Sequence, residues 1–254
     1  MARALRHTFR CLIPGAHRPG ERLALDAADA HHLIRVVRRR VGEGLEVSDG
    51  AGGLWAATLV AQDPALVEIG EPLAVSPPAP VRLVIGLLDS QRLDMVVEKA
   101  TELGVGECVI ALTERVHRRP AADAWTRRLA RLERVATAAA GQTGAARIMP
   151  VRGLVPFERI VTDTITPTGV LIDPRGTDSV RPALRAAAAG SGTVGSLTVA
   201  VGPEAGFSPD EVTAARNAGW PICPLGPQIL RAETAALSTL TLALAALGRF
   251  GEDA

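Results

Sequence analysis

A mainly parallel α/β domain behind a small β-rich domain is the architecture this sequence predicts, and three observations carry the prediction. From residue 82 onward, short apolar strands alternate with helical segments, the pattern of a parallel sheet covered on both faces. Before residue 71, short β-like runs are separated by turn residues, with one helix among them. Between these regions EPLAVSPPAPVRL (71–83) carries Pro72, Pro77, Pro78 and Pro80, which exclude a regular helix and favour an extended linker. The expected division is a first domain over 1–74, a linker over 75–81 and a second domain over 82–254. With 254 residues, 47% of them apolar and 22% charged, both domains can bury a core.

In the first domain the expected strands are Thr8–Ile13, Gly44–Ser48, Leu54–Ala61 and Ala65–Ile69, with turns at Ser48-Asp49-Gly50 and Gly52-Gly53. The helix is DAADAHHLIRVVRRR, capped by Asp26 or Asp29, with Leu33, Val36 and Val37 on one face. Arg35, Arg38 and Arg39 fall on the other at i, i+3 and i+4. A small β-barrel with one helix fits this order. His31 and His32 point to different sides and cannot form the i, i+4 pair of a zinc site, so packing or capping is expected of them.

In the second domain the expected strands are Arg82–Leu88, Cys108–Leu112, Gly169–Ile172, Leu197–Val201 and Pro221–Leu225. The expected helices are Leu93–Leu103, Asp123–Ala140, Val180–Ala189, Pro209–Ala218 and Ala232–Leu247. The second of these turns Trp125, Leu129, Leu132 and Val135 inward and Arg127, Arg131 and Arg134 outward.

A net charge of +1 conceals an uneven distribution: between Leu112 and Arg152 nine arginines face only Glu114, Asp123 and Glu133. Lys99 is the single lysine, so nearly every cation is a planar fork suited to phosphate. Three cysteines (11, 108, 223) without CxxC or Cys/His spacing indicate neither a disulfide framework nor a zinc site, and point to a cytoplasmic protein. The N-terminus is too broken by charge for a signal-peptide core, and the longest apolar run, Leu237–Leu247, is too short to span a bilayer. No metal and no membrane role is expected.

Two strand-to-helix turns repeat one device. AVGPEAGFSPDEV (200–212) ends a strand at Gly202-Pro203, and PICPLGPQILRAETAALSTLTLALAAL, from Pro221, ends another at Gly226-Pro227. In open α/β sheets the ligand sits beyond the carboxyl ends of the strands. Glycine lets a ligand lie against bare backbone and proline presets the next φ, which suits a flat heterocycle such as adenine. Neither G-x-G-x-x-G nor G-x-x-x-x-G-K-[ST] occurs, so a phosphate-cradling cofactor is disfavoured. Glu204, Arg231 and Glu233 would border the same crevice.

Four blocks in order, HHLIRVVRRRVGEGLEVSDGAGG, VVEKATELGVGECVIALTERV, AVGPEAGFSPDEV and PLGPQILRAETAALSTLTLAL, resemble the RsmE family of ribosomal RNA uridine-N3 methyltransferases in the SPOUT superfamily. The resemblance implies a PUA-like barrel followed by an α/β methyltransferase domain whose trefoil-knotted loops hold S-adenosylmethionine. It implies cofactor contacts at Gly202, Pro203 and Glu204, at Leu225, Gly226, Ile229, Leu230 and Arg231, and at a third loop after Leu171-Ile172. A homodimer with the site near its interface is implied too, as is a decoding-region uridine of 16S RNA in the assembled small subunit as substrate. The sequence departs from the family pattern at Ala205, where glycine is usual, at Gly141, where glutamate is usual, and at Asp89, where a basic residue is usual.

Uridine N3 carries a proton that must leave before or during attack. Arg231 is the candidate stabiliser of the charge spreading to the flanking carbonyl oxygens, Glu204 the candidate base and Glu233 its reserve. With four Phe, three Trp and no Tyr, the chain is poor in stacking aromatics. RNA recognition is therefore expected through phosphates and shape, at Arg35, Arg38, Arg39, Arg118, Arg127 and Arg131. The rival readings are a noncatalytic RNA-binding ribosome assembly factor and a small-metabolite enzyme; the second leaves the arginine stripes unexplained.

Overall fold

The computed structural model describes residues 9–116, 119–162, 168–189 and 197–250. They form two compact units. One takes the residues up to Pro77 together with Ala140–Ile148; the other takes Pro78–Ala139 and the residues from Met149 onward.

In the first unit strands β1 (Arg10–Leu12), β2 (Arg22–Ala24), β3 (Gly44–Ser48), β4 (Leu54–Gln62) and β5 (Ala65–Pro72) form a sheet in the order β1-β3-β4-β5-β2. Alternation turns Ala65, Val67 and Ile69 of β5 inward, where Val67 and Ile69 meet Cys11, Leu33, Leu45, Val47, Ala57 and Leu59 in one core. The turn after β3 is built by Asp49, whose Oδ1 accepts from the amides of Ala51, Gly52 and Gly53 at 2.7–3.0 Å. The segment 140–148 joins this unit through Ser48 Oγ, which donates to the Ala146 carbonyl at 2.9 Å, and through bridges from Gly50 and Ala51 to Arg147.

The helix of this unit differs from the expectation. Asp26 caps α1 (Ala27–His31), accepting from the Asp29 amide, and the chain continues only as a π-helical turn over His32–Val36. The wider turn breaks the 3.6-residue stripe. Leu33 is buried, but Val36 and Val37 are exposed, and Arg38, at φ +59°, ends the helical run. Arg38, Arg39 and Arg40 therefore do not share a helix face with Arg35. His32 caps α1 and stacks on Phe9 with centroids 5.3 Å apart.

The second unit holds six parallel strands in the order β11-β9-β10-β6-β7-β8: β6 (Ala79–Gly86), β7 (Val105–Leu112), β8 (Val151–Pro156), β9 (Thr168–Ile172), β10 (Leu197–Val201) and β11 (Ile222–Cys223). The strand β6 begins inside the proline-rich stretch. Pro80 is accommodated where the β6–β7 register shifts between Ala79 and Arg82, a place where a missing N–H breaks no ladder bond. The helices are α2 (Ser90–Glu102), α3 (Ala122–Thr143), α4 (Phe157–Val161), α5 (Val180–Ala189), α6 (Pro209–Asn217) and α7 (Ala232–Ala246). Of these elements β2, β8 and α4 escape the periodicity reading, being three to six residues long.

Burial on both faces explains the continuous apolar runs of β7, β9 and β10. On one face Phe157, Phe207, Val212 and Trp220 pack over Val84, Val109, Leu171 and Ala200. Against β6 and β10 lies α7, whose Ala232, Ala235, Ala236, Thr239, Leu240 and Ala243 form a buried stripe of mostly small side chains. Strand order reverses between β6 and β10, since β6, β7 and β8 run to one side and β10, β9 and β11 to the other. That boundary is where an open α/β sheet leaves a crevice.

Candidate active site

The two glycine-proline turns converge. A cavity of about 310 Å³ opens beyond the carboxyl ends of β9, β10 and β11. Ile172, Asp173 and Pro174 line it from the first strand, Val201, Gly202, Pro203 and Glu204 from the second, and Pro224 to Gly226 with Gln228 to Arg231 from the third. Ala232 and Ala235 of α7 form its floor, and Arg92 of α2 reaches its rim.

Local sequence explains each wall. Pro203 accepts a hydrogen bond from the Gly206 amide at 2.8 Å, closing a turn in which Gly206 takes φ +68° and Ala205 avoids positive φ. The helix that follows starts on a capping box: Ser208 Oγ accepts from the Glu211 amide, and the Glu211 carboxylate accepts from Ser208. Glu211 also accepts from the Glu114 amide at 2.9 Å, tying the loop after β7 to the same turn; burial raises its pKa against those two hydrogen bonds. Gly86 lies so close to the first turn that a Cβ there would sit 2.4 Å from the ring of Pro203. In the second turn Gly226 has φ +152°, a conformation L side chains rarely adopt. Among the described residues the amides of this loop from Leu225 to Leu230 donate to no protein acceptor, Pro227 having none to offer.

The third wall is more ordered than its sequence suggested. Asp173, almost fully buried, accepts from the Arg175 amide and from its guanidinium at 2.7–2.9 Å, while Arg175 also donates to the Phe207 carbonyl at 2.8 Å. Burial alone would raise the Asp173 pKa; the Arg175 bonds and charge outweigh it and hold the carboxyl below its ordinary value. Gly176 passes directly over β11, where a Cβ would lie 2.1 Å from the Ile222 carbonyl oxygen.

At the rim one guanidinium serves three carboxylates. Arg92 lies 2.9 Å from Glu204, 3.1 Å from Asp89 and 3.9 Å from Glu233. Asp89 is also the N-cap of α2, accepting from the Arg92 amide, which gives the acidic residue at this position a structural role. Glu233, in the first turn of α7, is buried beneath the rim and does not line the cavity; its Oε2 has no hydrogen-bond partner among the described residues. Arg231 is exposed at the N-cap of α7 and forms no ion pair among the described residues. Ile229 and Leu230 stand exposed, the first by 86%.

The geometry thus gathers Ile172, Gly202, Pro203, Glu204, Leu225, Gly226, Ile229, Leu230 and Arg231 around one space. Leu171 is the exception: its side chain is fully buried in the sheet core and lines no part of the cavity, because alternation along β9 turns it away. Arg127 pairs with Asp123 at 2.9 Å and Arg131 with Asp94 at 2.5 Å, so these two of the three outward arginines of α3 already hold carboxylates, while Arg134 donates to the Ala130 carbonyl. Arg118 lies outside the described residues. Sequence reasoning missed Arg92, Asp173 and Arg175; a DPRG turn directly after a buried strand is the one signal that pointed toward the last two.

An RNA methyltransferase domain family matches residues 75–244, and an RNA methyltransferase PUA domain family matches 25–69. A ribosomal RNA small subunit methyltransferase E from Synechocystis is 32% identical over 84% of this chain and 69% of its own length. This chain belongs to the ribosomal RNA small subunit methyltransferase E family. Among solved structures, a methyltransferase of Legionella pneumophila in complex with S-adenosylmethionine superposes with a TM-score of 0.81 at 26% identity, covering 95% of this chain and 98% of that one. A family member of Neisseria gonorrhoeae bound to S-adenosylmethionine shares the fold, with a TM-score of 0.79 at 24% identity over 96% of this chain and all of that one. The architecture is therefore the SPOUT-type α/β methyltransferase domain behind a PUA-like domain. Among the described residues no group of His, Cys, Asp or Glu could hold a metal ion, and no helix is long and apolar enough to cross a membrane.

Proposed function

We propose that this protein methylates N3 of a uridine in the decoding region of 16S ribosomal RNA, using S-adenosylmethionine, on the assembled small subunit in the cytoplasm. The observation that carries the reading is the convergence of the Gly202-Pro203 and Gly226-Pro227 turns on one cavity at the switch point of the sheet. The cavity fits the cofactor: unpartnered loop amides and bare glycine backbone suit an adenine edge, and apolar Ile172, Val201 and Leu230 suit its faces. When bound, S-adenosylmethionine supplies a methyl group on a positively charged sulfur.

The work left to the chain is to bind, orient and move one proton. Glu204 accepts the N3 proton as the N3–methyl bond forms, and its ion pair with Arg92 at 2.9 Å aims the carboxylate. Arg231, which holds no carboxylate among the described residues, stabilises the charge that spreads to the uridine carbonyl oxygens. Glu233 stands behind Arg92 as the reserve base. A paired uridine hides N3, so the target enters unpaired or flipped.

In this reading the first domain, expected over 1–74, binds RNA and the second, expected over 82–254, is the catalytic domain with a C-terminal trefoil knot; residues 140–148 pack with the first unit, and β6 starts at Ala79 inside the expected linker 75–81. Arg35, Arg38, Arg39, Arg118, Arg127 and Arg131 contact phosphates. The protein works as a homodimer, whose second copy covers the exposed Ile229 and Leu230.

The test is methyl transfer from labelled cofactor to small subunits taken from a strain lacking this gene, followed by nucleoside mass analysis. Label in 3-methyluridine is the expected result. Absence of label despite measured binding of cofactor and subunit would replace this reading with the noncatalytic assembly factor.

A further inference from the structure

Beside the cofactor cavity lies a wider one of about 770 Å³, at the carboxyl ends of β6 and β7. Leu87, Leu88 and Asp89 line it after the first strand, Arg115 after the second, and Ala124 and Arg128 from α3. Its partition from the cofactor cavity is made of Arg92, Pro203 and Glu204, which line both. The two spaces thus flank the switch point of the sheet and share one thin wall.

Their charges differ. Arg92 is matched by Asp89 and Glu204, whereas Arg115 and Arg128 form no ion pair among the described residues. Arg115 donates to the Ala205 carbonyl at 3.0 Å and Arg128 to the Leu88 carbonyl at 2.5 Å. The Nε of Arg128 is buried and has no acceptor among the described residues. Burial also lowers the pKa of this guanidinium, against the raising effect of the nearby Asp94 and Asp89 charges. The neighbours on the same helix, Arg127 and Arg131, each hold a carboxylate. A half-buried guanidinium with spare N–H groups is the donor set that phosphate oxygens satisfy in bidentate fashion.

We infer that this second cavity seats an RNA phosphodiester adjoining the target nucleotide, held by Arg115 and Arg128, so that the extruded base meets the Pro203–Glu204 partition from the side opposite the cofactor. The inference rests on the RNA methyltransferase reading above and adds to it a location and two residues. It also moves the decisive phosphate contacts from the outward stripe of α3 to the arginine between Arg127 and Arg131.

The experiment measures binding of assembled small subunits to the full-length protein over a range of KCl, for the wild type, R115Q, R128Q, the double variant and R216Q. Cofactor affinity is followed in parallel by calorimetry. Each lost phosphate contact is expected to make the slope of log K against log salt shallower by about 0.7, the single-strand value. R115Q and R128Q should each weaken subunit binding roughly tenfold by this loss of counterion release and charged hydrogen bonds, with cofactor affinity within about twofold of wild type. R216Q, an exposed cation that lines neither cavity, should behave as wild type.

Unchanged slope and affinity in R115Q overturn the inference, and so does an R216Q effect as large as that of R115Q. Because Arg115 is exposed and its one hydrogen bond is to a carbonyl, R115Q decides the matter even if R128Q fails to fold. The predicted slope changes in R115Q and R128Q, with no 3-methyluridine formed by the wild type, defeat the proposed reaction and leave the phosphate seat standing. Normal methylation with no change in slope does the reverse.

Discussion

The two cavities on either side of the Pro203–Glu204 partition are built by opposite means. The cavity beyond β9, β10 and β11, proposed for the cofactor, is shaped by backbone: Gly202, Gly206 and Gly226 set its turns, and at Gly86 and Gly176 neighbouring chain segments approach to distances no side chain would allow. The neighbouring cavity is defined by side-chain charge, with Arg115 and Arg128 presented from a strand end and a helix. A site made of backbone is intolerant of a single added carbon and indifferent to salt. A site made of guanidinium groups tolerates shape changes and weakens as salt rises.

The sharpest way to break this contrast is Gly176→Ala. Its Cβ would lie 2.1 Å from the carbonyl oxygen of Ile222, so β11 and the second turn must shift. Overpacking of this kind costs about 1–3 kcal/mol. Calorimetry should show cofactor affinity falling by up to about 100-fold on that scale, while small-subunit binding at low salt stays within a few-fold. Equal loss of both would mean that the cavities are not separately built.

Glu204→Gln acts on the shared wall and should be milder for binding but not for turnover. With its proton acceptor gone, methyl transfer under single-turnover conditions is expected to fall about 10²–10⁴-fold, with cofactor affinity changed little. A variant that retains wild-type turnover would move the role of base to Glu233 or to solvent.

A smaller effect separates the third wall from the rest. The pKa of Asp173 is held low by Arg175 in the folded protein, so its stabilising contribution is present above the unfolded value of 3.8 and is lost as pH falls through the lower folded value. Acid titration of thermal stability should therefore show a limb below pH 3.8 that is reduced in Asp173→Asn. Identical acid limbs in the two proteins would remove this ion pair from the account of the loop. The least perturbed observable is thiol reactivity. Burial, reinforced by Asp178, raises the Cys223 thiol to about 11, and burial with Glu107 raises Cys108 to about 12. Neither should be alkylated at pH 7.5 in native protein, and both should react once it is unfolded.

Legibility varied with the physics of each feature. The strands Gly44–Ser48 and Leu197–Val201 and the helix Val180–Ala189 stand where periodicity placed them, because burial on one or both faces imposes its period locally. The glycine-proline turns were readable for a similar reason, since φ preferences act on single residues. In contrast, the helix near Arg35 was misread beyond Val36: a single wide turn is enough to move Val36 and Val37 to the surface, and nothing in HLIRVVRRR encodes it. Arg92 could not be singled out because two of its three carboxylate partners come from positions 204 and 233, which only the tertiary fold brings to it.

The sequence by itself determined the class of the second domain, the two turns that bound the cavity beyond β9, β10 and β11, and the family to which the chain belongs; these rest on local preferences and contiguous blocks. Tertiary structure alone decided which arginines hold a carboxylate and, among the described residues, which do not. Arg127, Arg128 and Arg131 look alike along the helix, yet two hold carboxylates and the third points a half-satisfied guanidinium into a cavity. The reason is physical: a charge is defined by what surrounds it, and those surroundings come from segments as distant in sequence as Asp94 and Leu88.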